Sequence, residues 1–219
     1  MNMDSDLAIQ KTVQFVHQTL DGEGTGHDWW HIYRVWQNAI FIGREENADL
    51  FTVQLGALLH DIADWKFHDG DEHAASRVSR EWLESIAVNP EVIDRVCEIC
   101  DHISFKGAGV PTLMETLEGK IVQDADRLEA LGAMGIARTF VYGGHKGRPI
   151  YDPDQAPVLH KTFDVYKKGE GSTINHFYEK LLLLKDRMNT STGKRLAEGR
   201  HRFIEQYLEQ FFAEWKGER

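Results

Sequence analysis

The chain has 219 residues, of which 42 % are hydrophobic, so it is long and apolar enough to form a folded core. Its formal net charge of −10 argues against a nucleic-acid polymer or an anionic membrane surface as a partner. These values favour a soluble acidic enzyme. A phosphorylated substrate would then require a metal ion or a local cluster of Lys and Arg to offset its charge.

The sequence carries no membrane or export signal that can be recognised from its hydropathy. No run of about 20 apolar residues is present. The first segment, MNMDSDLAIQKTV, is acidic and polar, whereas a signal peptide begins basic and continues apolar. We therefore expect a cytoplasmic protein.

Apolar residues recur every three to four positions along most of the chain, which predicts an all-α fold. Asp49 and Asn89 are predicted N-caps, and Pro90 suits the first position of a helix. The stretch 103–114 is predicted to be a loop, and 143–157, with three glycines and three prolines, a functional or lid-like loop. The predicted helices, in chain order, are 5–20, 27–46, 50–64, 71–86, 90–102, 115–142, 174–189 and 192–216.

The cysteines and the tryptophans are interpreted as structural residues rather than as parts of a functional site. Cys97 and Cys100 form a C-x-x-C, a spacing found in redox motifs and in half of a zinc site. They lie within an apolar-periodic stretch, and no second C-x-x-C completes four ligands, so buried, reduced thiols are favoured. The tryptophans, notably Trp29, Trp30 and Trp36, are expected in the core rather than as base-stacking platforms.

A group of His and Asp residues points to a metal site. His60 and Asp61 are adjacent at the end of the most hydrophobic predicted helix. Burying this pair is costly unless both are paired or bind a cation, although hydrogen bonds at the helix end are an alternative. His31 lies 29 residues upstream of His60, and Asp124 and Asp126 lie downstream on an otherwise apolar helix.

Helices of a bundle can each project a ligand toward a shared centre. Two imidazoles and two carboxylates suit a divalent ion such as Mn²⁺, Fe²⁺, Co²⁺, Ni²⁺ or Zn²⁺. Such a site leaves positions for a water and a phosphate oxygen, and the ion lowers the pKa of that water.

The pattern of His31, His60–Asp61 and Asp126 resembles that of the HD-domain metal-dependent phosphohydrolases. Longer segments, which together cover most of the chain, resemble a bacterial branch of small HD proteins. These segments are GHDWWHIYRVWQNA (26–39), LGALLHDIADWKF (55–67), IVQDADRLEALGAMGIARTF (121–140), YGG (142–144), HFYEKLLLLKDRM (176–188) and TGKRLAEGRHRFIEQYLEQFFAEW (192–215).

The resemblance implies an all-α HD-domain helical bundle with C-terminal helices packed on it. We expect a single domain, 1–219, with a metal-binding core at about 20–140 and a loop and C-terminal helices at 143–219. The implied cofactor is one divalent metal ion held by the four ligands, with Mn²⁺ favoured and Mg²⁺, Fe²⁺, Co²⁺, Ni²⁺ or Zn²⁺ as alternatives.

The implied activity is hydrolysis of a (deoxy)nucleoside triphosphate to a monophosphate and pyrophosphate by a metal-bound hydroxide. A nucleotide phosphomonoesterase or phosphodiesterase would use the same site, and a noncatalytic metal or nucleotide sensor is the alternative from another class. The expected partner is a small-molecule nucleotide, with no nucleic-acid polymer and no membrane, and a homodimer is left open.

Three residues are candidates for catalysis. Asp64 could orient the attacking water or hold a ligand histidine, and is otherwise an acidic residue at a fraying helix end. Lys66 and Arg127 flank the ligands in sequence and could take up charge on the phosphates. For Arg127, a salt bridge to Asp124 or Glu129 is the competing interpretation.

Four further residues are candidates for substrate binding. His27 precedes His31 by four residues and could face the same side, while neighbouring Asp28 could cap the helix. His102 lies at a predicted helix end, with an exposed capping role as the alternative. Lys146, in the YGGHKGR segment, and Lys180 could reach a polyphosphate, although exposed loops and helices often carry solvated lysines.

Overall fold

The computed structural model describes residues 4–22, 28–63, 71, 73–159 and 171–219, and these residues form nine α-helices and no strand. The all-α prediction is confirmed. Two short 3₁₀ turns, Leu181–Leu183 and Lys185–Arg187, follow the eighth helix. The helices are α1 (Ser5–Thr19), α2 (Trp29–Glu45), α3 (Leu50–Leu59), α4 (Ala74–Ser85), α5 (Pro90–His102), α6 (Leu117–Glu129), α7 (Gly132–His145), α8 (Thr173–Glu179) and α9 (Ser191–Trp215).

Short polar side chains begin several helices by accepting hydrogen bonds from first-turn amides, which have no partner within the helix. The carboxylate of Asp49 accepts from the Phe51 amide at 3.0 Å, which confirms this predicted cap. Asn89 caps α5 in the same way, with Pro90 at the first position, as predicted. Both caps could be identified from sequence because they depend on local chemistry alone.

The predicted helix 50–64 is too long. The helix α3 ends at Leu59, and His60 retains helical backbone angles just beyond the end. The Ile62 amide then bonds the Leu59 carbonyl at 3.1 Å, so the chain tightens into a turn of three-residue spacing. Asp64, which was expected to share a helix face with His60, lies outside the described residues.

The predicted continuous helix 115–142 is interrupted. The helix α6 ends at Glu129, Leu131 adopts extended angles, and α7 starts at Gly132 with φ of +69°. Only glycine adopts this conformation without strain. A Cβ at this glycine would also lie 3.2 Å from the Arg200 side chain. The break therefore depends on both backbone conformation and tertiary packing.

Two other boundaries near the C-terminus differ from those predicted. The helix α7 continues to His145, into the stretch 143–157 that was predicted to be irregular. The predicted helix 174–189 ends at Glu179, because Lys180 leaves helical angles with φ of −137°. The segment that follows α7 is held to α8: the amides of Thr173 and Ile174 donate to the carbonyls of residues 149 and 150.

Two compact units divide the chain: residues 1–105 with 111–126, and residues 106–110 with 127–219. The single-domain assignment stays a prediction. In the first unit, α3 is buried along most of its length and packs against α1, α2 and α5. Gly56 on α3 permits this packing, since a Cβ there would lie 3.0 Å from Ile99 and 3.4 Å from Val122.

The second unit has its own core. The helix α9 packs against α7, and α8 packs against α7 and the first 3₁₀ turn. Phe177 is fully buried, and its ring stacks on Tyr207 with centroids 5.8 Å apart. No helix among the described residues is long and apolar enough to cross a membrane.

The structural interpretation of the cysteines is confirmed. Cys97 and Cys100 are buried and form no disulfide. Burial raises the pKa of both thiols, to about 12 for Cys100. The core prediction for the tryptophans is wrong for Trp30, which is 60 % exposed, whereas Trp29 and Trp36 pack partly buried against the core.

Candidate metal centre

His31 lies near the start of α2, where local capping fixes its backbone. The side chain of Asp28 accepts a hydrogen bond from the His31 amide at 2.9 Å. This confirms the capping role considered for Asp28. The imidazole of His31 is fully buried and points its Nε2 atom toward two carboxylates.

His60 is held in one tautomer by the end of α3. Its Nδ1 lies 2.8 Å from the carbonyl oxygen of Ala57, so Nδ1 carries the proton and donates. The lone pair is then on Nε2, which is buried and has no hydrogen-bond partner among the described residues. A histidine held in this way presents a ready electron pair to a metal ion.

The two carboxylates converge on the imidazoles. The Oδ2 atom of Asp61 lies 3.5 Å from Nε2 of His31 and 3.6 Å from Nε2 of His60. The Oδ1 atom of Asp126, on α6, lies 3.6 Å and 3.9 Å from the same two nitrogens. Ligand atoms of His31, His60 and Asp126 all lie within 4.8 Å of one another.

These residues fit a divalent metal ion. Donors that bind one ion at about 2.0–2.2 Å each are separated by roughly 3–4 Å, as these nitrogens and oxygens are. The buried Nε2 of His60 is an orphaned polar atom that a cation would satisfy. The side chains of Asp61 and Asp126 are 15 % and 30 % exposed, so a small substrate could approach from their side.

Comparison with known proteins gives the family that the ligand pattern resembles. The HD domain family matches residues 29–131, a range that contains all four candidate ligands. Protein YpgQ of Bacillus subtilis is 42 % identical over 197 residues, covering 90 % of this chain and 88 % of that protein. The chain belongs to the HD-domain superfamily.

Solved structures extend the likeness over the whole length. A Lactobacillus plantarum protein matches with a TM-score of 0.86 and 36 % identity, covering 98 % of this chain and all of that one. An HD-superfamily hydrolase from Bacillus thuringiensis matches with a TM-score of 0.75 and 43 % identity, over 97 % and 99 % of the two chains. The crystal structure of YpgQ in complex with ADP matches with a TM-score of 0.75, 40 % identity and 95 % coverage of both chains.

Membership of this superfamily confirms the predicted class of enzyme. The protein is a metal-dependent phosphohydrolase with an all-α HD domain. The group formed by His31, His60 and Asp126 is compatible with the divalent metal that HD domains bind.

Arg127 directly follows the candidate ligand Asp126 and is only 6 % exposed. One of its Nη atoms donates to the carbonyl oxygen of Arg187. The guanidinium of Arg187 in turn donates to carbonyls of the loop 106–110, among them that of Gly107 at 3.3 Å. Burial lowers the pKa of Arg187. Arg127 is thus anchored in the second unit, and its contact with phosphate stays a prediction.

His102 ends α5 in the same unit as the four candidate ligands. The side chain is exposed, and its Nδ1 bonds the carbonyl of Glu98 at 2.9 Å. This bond matches the capping alternative, and because Nδ1 donates, Nε2 is left as an acceptor. The neighbouring Asp101 accepts from Nδ1 of His73 at 3.0 Å.

The remaining candidates divide between the second unit and undescribed positions. Lys146, just after α7, lies with its ammonium 5.7 Å from the centroid of the Tyr142 ring, a cation–π contact. Lys180 forms the half-buried C-cap of α8. The predictions for His27, Asp64 and Lys66 fall outside the described residues.

Gln123 was missed by sequence reasoning. It is fully buried on α6, one turn before Asp126. Its amide nitrogen lies 3.1 Å from the carbonyl of Thr112 and 3.3 Å from that of His102. The available signal was a polar residue among apolar neighbours, but the carbonyls that it binds are distant in sequence.

Proposed function

We propose that this protein hydrolyses (deoxy)nucleoside triphosphates to a monophosphate and pyrophosphate, using one divalent ion held by His31, His60, Asp61 and Asp126. Mn²⁺ is the favoured ion. The observation that carries the proposal is the buried Nε2 of His60, whose lone pair is directed by the bond from Nδ1 to Ala57 toward two carboxylates.

The ligand set supports a metal ion that promotes hydrolysis. An ion bound there supplies Lewis acidity and lowers the pKa of a water ligand. Four protein ligands leave coordination positions open for water and a phosphate oxygen. Two nitrogens and two carboxylates suit several first-row divalent ions. Mn²⁺ is favoured among them because the resemblance to small bacterial HD proteins implies it.

The residues around the ligands have assigned roles in this proposal. Lys66 and Arg127 take up charge on the phosphates, and Asp64 orients the attacking water. These three are the proposed catalytic residues. The proposed substrate contacts are those of His27, His102, Lys146 and Lys180.

The nucleotide assignment is supported by a relative. The crystal structure of YpgQ contains ADP, and YpgQ covers nearly the whole of this chain. An adenine nucleotide carries a phosphate chain that an ion at this centre could engage. A nucleotide phosphomonoesterase is the alternative, since the same ion and ligands would serve it.

The deciding experiment uses chelator-stripped protein, added Mn²⁺ and a panel of nucleotides, with products identified by chromatography. Wild type is compared with His60→Ala, Asp61→Ala and the control Asp94→Ala. Asp94 is an exposed carboxylate paired with Arg80 and lies outside the ligand set. We expect monophosphate and pyrophosphate from wild type and the control, and at least a hundredfold loss in the two ligand variants.

Metal binding is measured separately by thermal unfolding. Mn²⁺ at a hundredfold excess over its Kd should stabilise wild type by about 2.7 kcal/mol, or roughly 5–10 °C in Tm. Both ligand variants should lose this shift. Phosphate released from monophosphates would favour the phosphomonoesterase, and metal binding without turnover would favour a sensor. Absence of any metal binding would contradict the proposal.

A further inference from the structure

The four proposed metal ligands all lie at helix ends. His31 is the third residue of α2, and Asp126 lies three residues before the end of α6. His60 and Asp61 directly follow the last residue of α3. Helix ends fray more readily than helix interiors, because their terminal amides and carbonyls have no partner within the helix. A ligand at such an end therefore needs a local contact that keeps it in place before an ion binds.

For His31 this contact comes from Asp28, the N-cap of α2. The His31 amide lies 2.9 Å from the Oδ1 atom of Asp28 and 3.0 Å from the carbonyl oxygen of the same residue. One amide is thus shared between two acceptors, an arrangement that is common at helix ends. The Ile32 amide also donates to the Asp28 carbonyl, at 3.3 Å. Asp28 therefore fixes the backbone of a proposed ligand directly.

The side-chain caps of three other helices in the same unit hold residues outside the ligand set. In α1, α3 and α5, the capping residues Asp4, Asp49 and Asn89 accept hydrogen bonds from the amides of Asp6, Phe51 and Glu91, respectively. Of these four caps, that of α2 alone bonds a proposed ligand. The cap at Asp28 can therefore influence metal affinity, whereas the other three are expected to influence helix stability alone.

The backbone position of His31 determines where its ring can point. The side chain has two rotatable bonds, so few ring positions remain once the backbone is fixed. In the position observed, Nε2 lies 3.5 Å from Oδ2 of Asp61 and 3.6 Å from Oδ1 of Asp126. The residue before it, Trp30, is 60 % exposed and contributes little packing to this turn. The cap is thus a main local restraint on the first turn of α2.

We propose that Asp28 is a positioning residue of the metal centre, whose carboxylate keeps the first turn of α2 ordered in the metal-free protein so that His31 is in place when the ion binds. The inference rests on the ligand set of the proposed function. Asp28 acts through the His31 amide and is not itself a ligand. An ion that meets an ordered ligand does not have to order it, and its affinity is higher by that difference.

The expected effect follows from the strength of an N-cap. Replacing a capping aspartate by alanine weakens a helix end by about fivefold, which corresponds to about 1 kcal/mol at 25 °C. In Asp28→Ala the ion has to restore the first turn before His31 can bind it. We therefore expect the Kd for Mn²⁺ to rise by about fivefold.

The first test is calorimetric titration of the metal-free proteins with Mn²⁺. Asp28→Ala should show the raised Kd, whereas Asp28→Asn should bind within about twofold of wild type, because asparagine caps a helix as well as aspartate does. The matched control is Asn89→Ala, which removes the cap of α5, a helix without a proposed ligand. The control should lose a comparable amount of thermal stability and bind Mn²⁺ as wild type does.

The second test locates the effect by amide hydrogen exchange without metal. Asp28→Ala should accelerate exchange in the first turn of α2, including the His31 amide, by about fivefold. Added Mn²⁺ should reverse this change, because the bound ion holds His31 in place. Asn89→Ala should accelerate exchange at the start of α5 and leave α2 unchanged.

Three results would overturn the proposal while leaving the ligand set intact. A wild-type Kd in Asp28→Ala would show that burial of the ring is enough to hold His31. A Kd raised equally in Asp28→Asn would assign the effect to the charge of Asp28 and not to its cap. A Kd raised equally in Asn89→Ala would make the effect one of general stability. Wild-type protein that binds no Mn²⁺ would instead overturn the proposed ligand set, and this inference with it.

Discussion

Replacing Gln123 with Leu removes the donor of a buried hydrogen-bonded clamp on α6. The side-chain amide of Gln123 has two hydrogens and lies near three carbonyl oxygens. The distances to Thr112 and His102, 3.1 Å and 3.3 Å, are the better hydrogen bonds, while 3.5 Å to Ile103 is at the limit for one. The clamp therefore ties the end of α5 and the chain at Thr112 to α6.

The magnitude follows from these two bonds. A leucine fills most of the volume but donates nothing, so two carbonyls lose the donor that a fully buried side chain gives them. Each loss costs about 1–2 kcal/mol, and we expect Gln123→Leu to lower the free energy of unfolding by about 2–4 kcal/mol. For a chain of this length that is roughly 5–15 °C in Tm.

The assay is thermal and denaturant unfolding of metal-free protein, followed by Mn²⁺ titration. The control is Gln210→Leu, which removes an exposed amide that donates a hydrogen bond to Glu214 at the protein surface. This substitution should change the free energy of unfolding by less than about 0.5 kcal/mol. Mn²⁺ affinity should change less than threefold, because the clamp includes none of the proposed ligands. A Gln123→Leu variant as stable as Gln210→Leu would refute the reasoning.

Two further predictions concern buried thiols and a crowded glycine. Because burial raises the pKa of Cys100 to about 12 and also raises that of Cys97, neither should react with a thiol reagent at pH 8 unless denaturant is added. The unfolded chain ionises these thiols at lower pH than the folded chain does, so stability should fall above about pH 9. Gly143→Ala places a Cβ 2.3 Å from Oγ1 of Thr173 and should cost about 1–3 kcal/mol, whereas Gly144→Ala, with no atom within 4 Å, should not destabilise. Equal melting temperatures for the two alanine variants would contradict the packing described at Gly143.

The features that sequence predicted correctly depend on short-range chemistry. A carboxylate or amide that accepts from the next amides, as at Asp49 and Asn89, requires no distant partner to be recognised. The apolar period of α5 predicted its bounds, 90–102, as the structure has them. The proposed ligands were predicted from two signals together. His60 and Asp61 end a strongly apolar predicted helix, where burying an imidazole and a carboxylate is costly. With His31 and Asp126 they form a pattern that resembles the HD family.

The features that sequence missed depend on contacts between distant segments. The break before Gly132 coincides with its close approach to Arg200, 68 residues along the chain. The early end of α8 and the longer α7 depend on packing in the second unit in the same way. Periodicity predicts helical tendency, but where a helix ends is decided by competing tertiary contacts.

The early end of α3 falls at two of the proposed metal ligands, His60 and Asp61. Within the turn after Leu59, Oδ2 of Asp61 lies 3.6 Å from Nε2 of His60. The turn also leaves the carbonyl of Ala57 available to fix the His60 tautomer. The apolar pattern favoured a longer helix, and the point where that local preference fails is the point where the proposed chemistry takes place.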